Sequence, residues 1–317
     1  MPLSLSRLTL GAFSALLATA ALTFVVRSDA APRSTPLDAV AAAVQDNEKG
    51  DEPNPKLLVG SVDEPDVSLE GKVADREDFV APIQGGGFIF ERRDVDGKRI
   101  GGVVVPGVVL VTKGLVELFG CGEGGKEHET VIRLESNVQA LDLALTSAGF
   151  KRGRLPVKTD ITLPEQGTRL LILVQWLDKN GKLVTHRSED LVVSMRRNSP
   201  MPRVGWTYVG NWIDVADPTS PKGEKKSPVL AANGSRSFVA TFRDRTALLD
   251  NPLEEAVDDT LFGSNYMLLP RTGTPVRVIL RAPTAAERAE IGALEKRLAA
   301  EAKIELHKGK SREESGK

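Results

Sequence analysis

The chain has 317 residues, with 42 basic and 43 acidic side chains, three histidines and one cysteine. So even a charge balance carries no electrostatic footprint for nucleic acid, and none is expected as a partner. A single thiol rules out an intrachain disulfide and a cysteine-ligated iron–sulfur cluster, while 41% hydrophobic residues supply material for a packed core.

The first element is MPLSLSRLTLGAFSALLATAALTFVVRSDAAP, with Arg7, an apolar run from Leu8 to Val26, and small residues at Ser28, Ala30 and Ala31. This layout is that of a secretory signal peptide over residues 1–30, cleaved after Ala30 or Ala31. Cleavage predicts a secreted or periplasmic protein of the cell envelope with a net charge of about −2 once Arg7, Arg27 and Asp29 are gone. Left uncleaved, the run has the roughly 18 apolar residues that span a bilayer, and a membrane contact is expected only in that case. Residues 31–57 are rich in Pro, Ala, Asp, Glu and Lys and predict a flexible leader.

From residue 58 to 283 the dominant hydrophobic period is two. "GGFIFERRDVDGKRIGGVVVPGVVLV" reads as two strands around Asp96-Gly97, and "GTRLLILVQWLDKNGKLVTHRSEDLVV" as two more around Asn180-Gly181. Glycine in such pairs supplies the positive φ of a hairpin turn, and Asn233-Gly234 is a third candidate turn. The frame Leu-Pro-x-x-Gly-Thr occurs at Leu163 and again at Leu269, each time before an apolar strand, as a shared way of entering the core.

Between the first strands and the second pair lies "FGCGEGGKEHET", residues 119–130, which holds the lone Cys121, four glycines and His128. With residues 126–135 extended, His128 shares a face with Thr130, Ile132 and Leu134, as a half-buried ring that holds a glycine-rich hairpin loop in shape. A hairpin would also bring Cys121 and His128 together, and a thiol beside an imidazole, with Lys126 close, is a nucleophile-and-base pair for a thiol-dependent enzyme. A zinc site from Cys121, His128 and Glu127 or Glu129 is one ligand short. The second histidine of a helical His-Glu-x-x-His motif is replaced by Ile132. No metal and no cofactor is expected.

"ESNVQALDLALTSAGFKRG" predicts one helix near 137–149, with Ser136 or Asn137 as N-cap, Val138, Leu141 and Leu145 on one face, and Gly149 at its end. Trp206, Tyr208 and Trp212 share one face if residues 206–212 form a strand, as core or as a stacking platform for a flat ligand. The acidic run Asp250, Glu254, Glu255, Asp258 and Asp259 lacks the ligand alternation of a calcium loop and reads as a solvated turn. Thr284 caps a C-terminal amphipathic helix near 285–305 with Ile291, Leu294 and Leu298 on one face, followed by a solvated tail to 317. The sum is an α+β protein, β-rich and mostly antiparallel, with one packed helix and a C-terminal helix.

"GLVELFGCGEGGKEHETVIRLESNVQALDLALTSAGFKRG", "GTRLLILVQWLDKNGK", "GWTYVG" and "LLPRTGTPVRVIL" follow one another in an order and spacing that resembles the YdjY-like domain family, mostly secreted bacterial proteins with no established reaction. The resemblance covers residues 98–281, within a domain of 58–283. Its most specific piece, Lys126-Glu127-His128-Glu129-Thr130, is similar to the family's Lys-Glu-His-Glu-Ser signature, with Thr130 in place of serine. The expectation from the sequence as a whole is a non-catalytic binding or structural module of the envelope, with an unknown envelope component or small molecule as partner. Lys126, Glu127, His128 and Glu129, with Trp206, Tyr208 and Trp212, are the candidate binding residues, and Cys121 with His128 the alternative catalytic pair.

Overall fold

The computed structural model describes residues 54–69, 72–153, 167–216 and 226–315, with side-chain surroundings as far as residue 302. The expected signal peptide, the leader up to residue 53 and residues 163–166 of the first Leu-Pro frame lie outside the described residues. In chain order the elements are β1 (Phe79–Pro82), β2 (Phe88–Arg93), β3 (Arg99–Val109), β4 (Leu118–Cys121), β5 (Thr130–Leu134) and helix α1 (Val138–Ser147). There follow β6 (Arg169–Leu177), β7 (Leu183–Arg187), β8 (Val192–Ser194), β9 (Ser199–Pro200), β10 (Trp206–Tyr208) and β11 (Trp212–Ala216). The chain continues through β12 (Lys226–Leu230), β13 (Ser237–Ala240), β14 (Leu249–Asp250), β15 (Phe262–Ser264), β16 (Pro275–Arg281) and helix α2 (Ala285–Ser315).

Strand pairing runs β3–β16–β6–β10–β14–β13–β4–β5, and β5 pairs back onto β3, so eight strands close a hydrogen-bonded ring. All neighbours in it are antiparallel except β13–β14 and β4–β5. Two long strands also carry side flaps. The edge of β3 takes β2 from Arg99 to Val104 and β5 from Gly107 to Val109, and the edge of β6 takes β10 at Arg169 and Leu170 and β7 from Leu173 onward.

Pro106 lies in the middle of β3, where a central strand rarely admits proline. Its carbonyl accepts the Glu135 amide at 2.9 Å. A strand residue points its N–H and C=O to the same side, so the missing donor of Pro106 faces the gap between the last residue paired with β2 and the first paired with β5.

Alternate residues of the central strands feed two separate cores. Val103, Val105, Leu170, Ile172, Val174, Val278 and Leu280 join the main core, while Val104, Leu171, Leu173 and Ile279 join a second one with Phe88, Phe90, Val67 and Ile291. Burial on both faces makes these strands read as unbroken apolar runs. The second core is roofed by the extended segment that carries Val62, Val67 and Leu69, and by α2 through Ile291.

The expected hairpins at Asp96-Gly97 and Asn180-Gly181 are present, with Gly97 at φ 75° and Gly181 at φ 76°. Asp94 and Asp178 complete them, each carboxylate accepting two amides of its own turn. Asn233-Gly234 departs from expectation: it lies in a single helical turn, Ala232–Ser235, closed by Arg236 in the left-handed region at φ 58°. The leader ends earlier than expected. Asn54 caps a 3-10 turn, Pro55–Leu57, and Leu57 is buried, so residues 54–57 are held by the domain. Helix α1 starts at Asn137, whose side chain accepts the amides of Gln139 and Ala140, and stops before Gly149 at φ 91°.

Helix α2 has a reciprocal cap, with Glu287 N–H donating to Thr284 Oγ1 and Thr284 N–H to the Glu287 carboxylate. It continues to Ser315 instead of giving way to a tail near 305, since Ala, Glu, Lys, Leu and Arg all favour helix there.

Candidate functional site

The stretch 119–130 forms a tight return instead of a hairpin. Strands β4 and β5 run parallel, with Leu118 opposite Thr130 and Cys121 opposite Arg133, so the eight residues 122–129 must carry the chain back along β4. Glycine makes the return feasible. A Cβ added at Gly124 would lie 2.1 Å from Arg236 Nη1, and one at Gly125 would lie 3.2 Å from Arg236 Cβ. The glycines thus form a cradle for the Arg236 side chain, which donates to the Glu123 carbonyl while the Arg236 carbonyl accepts the Gly122 amide at 2.8 Å.

The signature residues buttress this loop from outside. Glu127 Oε1 accepts the Gly124 amide at 2.7 Å, Thr130 Oγ1 donates to the Lys126 carbonyl at 2.6 Å, and the Lys126 ammonium pairs with Glu117. Glu127–Glu129 is a 3-10 turn and not a strand, which corrects the expected face shared by His128 and Ile132. The His128 side chain is 73% exposed, with Nε2 3.5 Å from Glu129, so it is not a half-buried anchor.

Cys121 has the opposite surroundings. It is fully buried in a small cluster with Leu110, Leu118, Ala240 and Ala247, and burial pushes its thiol up to about 11. A protonated thiol in a dry cluster and a ring in solvent do not form the expected nucleophile-and-base pair. Among the described residues no three His, Cys, Asp or Glu side chains converge as a metal site.

The aromatic residues separate as well. Trp206 and Tyr208 are fully buried in the main core. Trp206 Nε1 donates to Ser188 Oγ at 2.7 Å, and the Tyr208 hydroxyl donates to Asp142, which with burial raises its pKa. The chain then turns at Gly210 and Asn211, both with positive φ, and Trp212 opens a separate two-stranded ribbon. There it is 42% exposed, beneath the Arg152 guanidinium at 5.4 Å. The three therefore share no face. The acidic run is a 3-10 turn, Glu254–Val257, as expected, but Asp250 and Glu255 are buried, facing Arg243 at 3.5 Å and Arg197 at 3.4 Å.

The inner side of the glycine loop opens on a cleft of about 770 Å³, between residues 122–123, the end of β5 and the start of α1. Gly122, Glu123, Arg133, Asn137, Gln139 and Arg236 line it. None of Lys126, Glu127, His128, Glu129, Trp206, Tyr208 and Trp212 does, although Glu127 Oε2 approaches Arg133 at 3.6 Å from behind. Sequence reasoning named Asn137 as a cap and Gly122 as part of a turn, yet missed both arginines. Arg133 was legible only as the polar position in the strand pattern of TVIRL, and Arg236 carried no local signal. No family model, no curated protein and no solved structure matches the chain.

Proposed function

We propose that the protein is an exported, non-catalytic binding module of the bacterial cell envelope, built on a YdjY-like domain, and that the cleft beside the glycine loop is its ligand site. The observation that carries this reading is the lining of the cleft. Two arginines and a helix N-terminus meet there in open space, whereas the one thiol of the chain is sealed in a dry cluster with its pKa raised. A concave pocket with a few convergent polar groups is the usual form of a small-molecule site. The signature residues support the loop beside that site by holding the Gly124 amide and the Lys126 carbonyl, in place of contacting the ligand themselves.

A fragment screen followed through the backbone amides tests the assignment. Perturbations grouped at Gly122, Arg133, Asn137 and Gln139 are the expected outcome, and ligands that move only amides elsewhere would refute it. Export has its own readout: mass spectrometry of the processed protein should find Ala31 or Pro32 at the N-terminus, and an intact first 26 residues in a membrane fraction would replace the exported form with an anchored one.

A further inference from the structure

We infer that the cleft takes one oxyanion group, a carboxylate or phosphate on an otherwise neutral or zwitterionic small molecule, gripped between Arg133 and Arg236 at the first turn of α1. This rests on the cleft being the ligand site. The argument starts from how arginines are used elsewhere in the molecule. Arg152 forks onto Asp142 at 2.9 and 2.6 Å, and Arg203 onto Asp190 at 2.7 and 2.9 Å. Such bidentate pairs use up the planar donor face of a guanidinium.

Arg133 and Arg236 are not used in that way. The Arg133 side chain is only 24% exposed, yet among the described residues it donates no hydrogen bond, and its nearest carboxylates, Glu127 and Glu135, stand at 3.6 and 4.0 Å. Arg236 spends one nitrogen on the Glu123 carbonyl and forms no ion pair among the described residues. Both line the same cleft with Val138, the first residue of α1. The Asn137 side chain already takes the amides of Gln139 and Ala140, so the helix end contributes its Val138 amide and its partial positive charge.

The charges lining the cleft also limit the ligand. Glu123 and Glu135 balance the two arginines, which disfavours a polyanion and leaves room for a single anionic group. A planar fork from each arginine matches the geometry of a carboxylate or a phosphate oxygen pair.

The test titrates the mature chain with inorganic phosphate and with acetate at constant ionic strength, reading amide shifts at Gly122, Val138 and Gln139. Saturable shifts are expected with at least one of them. Arg133→Gln and Arg236→Lys should each weaken binding by about 10-fold or more, the size of one charge-assisted hydrogen bond, while Arg99→Gln, a surface control with a 73% exposed side chain, should not. Glycerol phosphate in solution against phosphatidylglycerol vesicles separates a free solute from a lipid headgroup, and binding of either supports the site. Absence of saturable shifts with every anion, or shifts that survive both arginine variants, overturns the inference. If neutral fragments then still perturb the cleft, the binding module stands and only the anion is wrong; if they do not, the module reading falls with it.

Discussion

Two sets of charged side chains lie on opposite sides of this molecule's chemistry. Arg187, Ser188, Glu189 and Asp190 are all buried. Glu189 accepts from the Arg187 guanidinium, from Ser188 Oγ at 3.1 Å and from the Gly205 amide at 2.7 Å. Asp190 receives the Arg203 fork and the Arg187 amide at 3.1 Å. Burial opposes the charge on Glu189, but Arg187 still holds its pKa below the usual carboxylate range. Around the cleft the pairing is loose: the carboxylates nearest Arg133 stand at 3.6 and 4.0 Å, and Arg236 forms no ion pair among the described residues. Where every lone pair and proton is matched, charge welds a fold together. Where the partners stand too far off for hydrogen bonds, it stays available for a ligand.

The sharpest way to break this contrast is to remove one charge from each set. Glu189→Ala strands a buried guanidinium and should cost about 3 to 5 kcal/mol in urea unfolding, whereas Arg133→Gln should stay within about 0.5 kcal/mol. Equal losses would abolish the distinction. The two tryptophans offer a parallel test without charge. Trp206→Ala should cost about 3 to 5 kcal/mol as a cavity in the main core, while Trp212→Ala, on the exposed ribbon, should cost under about 1 kcal/mol.

Asp250 sharpens the comparison further, as a buried acid whose partner is less well placed. Burial pushes its carboxyl up to about 8, against the pull of Arg243. An unfolded aspartate titrates near about 3.9, so between about pH 4 and 8 the folded protein binds the extra proton. Stability should therefore fall as pH rises across that window. Asp250→Asn should remove that slope and gain about 1 kcal/mol or more at pH 8, read as melting temperature at pH 5 against pH 8. A variant that melts no higher than the parent at pH 8 would show that Arg243 keeps the carboxylate ionised.

The smallest effects are expected in the loop. His128→Ala should change stability by no more than about 0.5 kcal/mol, because the ring is exposed. The Cys121 thiol should resist iodoacetamide until the protein unfolds, and rapid labelling of the native protein at pH 6 would revive the thiol chemistry.

What the sequence made legible was local. Gly97 and Gly181 announced their hairpins because a positive φ is written into the residue itself, and Asn137 and Thr284 announced helix starts because a cap needs only neighbours three positions away. The glycine loop was visible as a turn but not as a cradle, since the side chain it holds belongs to Arg236, far along the chain. The parallel pairing of β4 with β5 was equally hidden: periodicity gives the strand and not its neighbour, and with the pairing misread, Cys121 and His128 were placed together. Trp212 was set beside Trp206 by counting residues; Gly210 did mark a possible turn, but the second positive φ, at Asn211, has no glycine to announce it, and together they broke the register.

The closed ring has a consequence for the order in which this chain can assemble. β16, the last strand, fills the slot between β3 and β6, with Val105 opposite Val278 and Ile172 opposite Leu280. Until it docks, two long strands that are apolar on both faces stand with bare edges, and such edges recruit one another between molecules. Folding that waits on so distant a partner is slow by topology alone. A chain ending before Pro275 should collect as aggregate, and the final strand works as a latch that the rest of the sheet cannot do without.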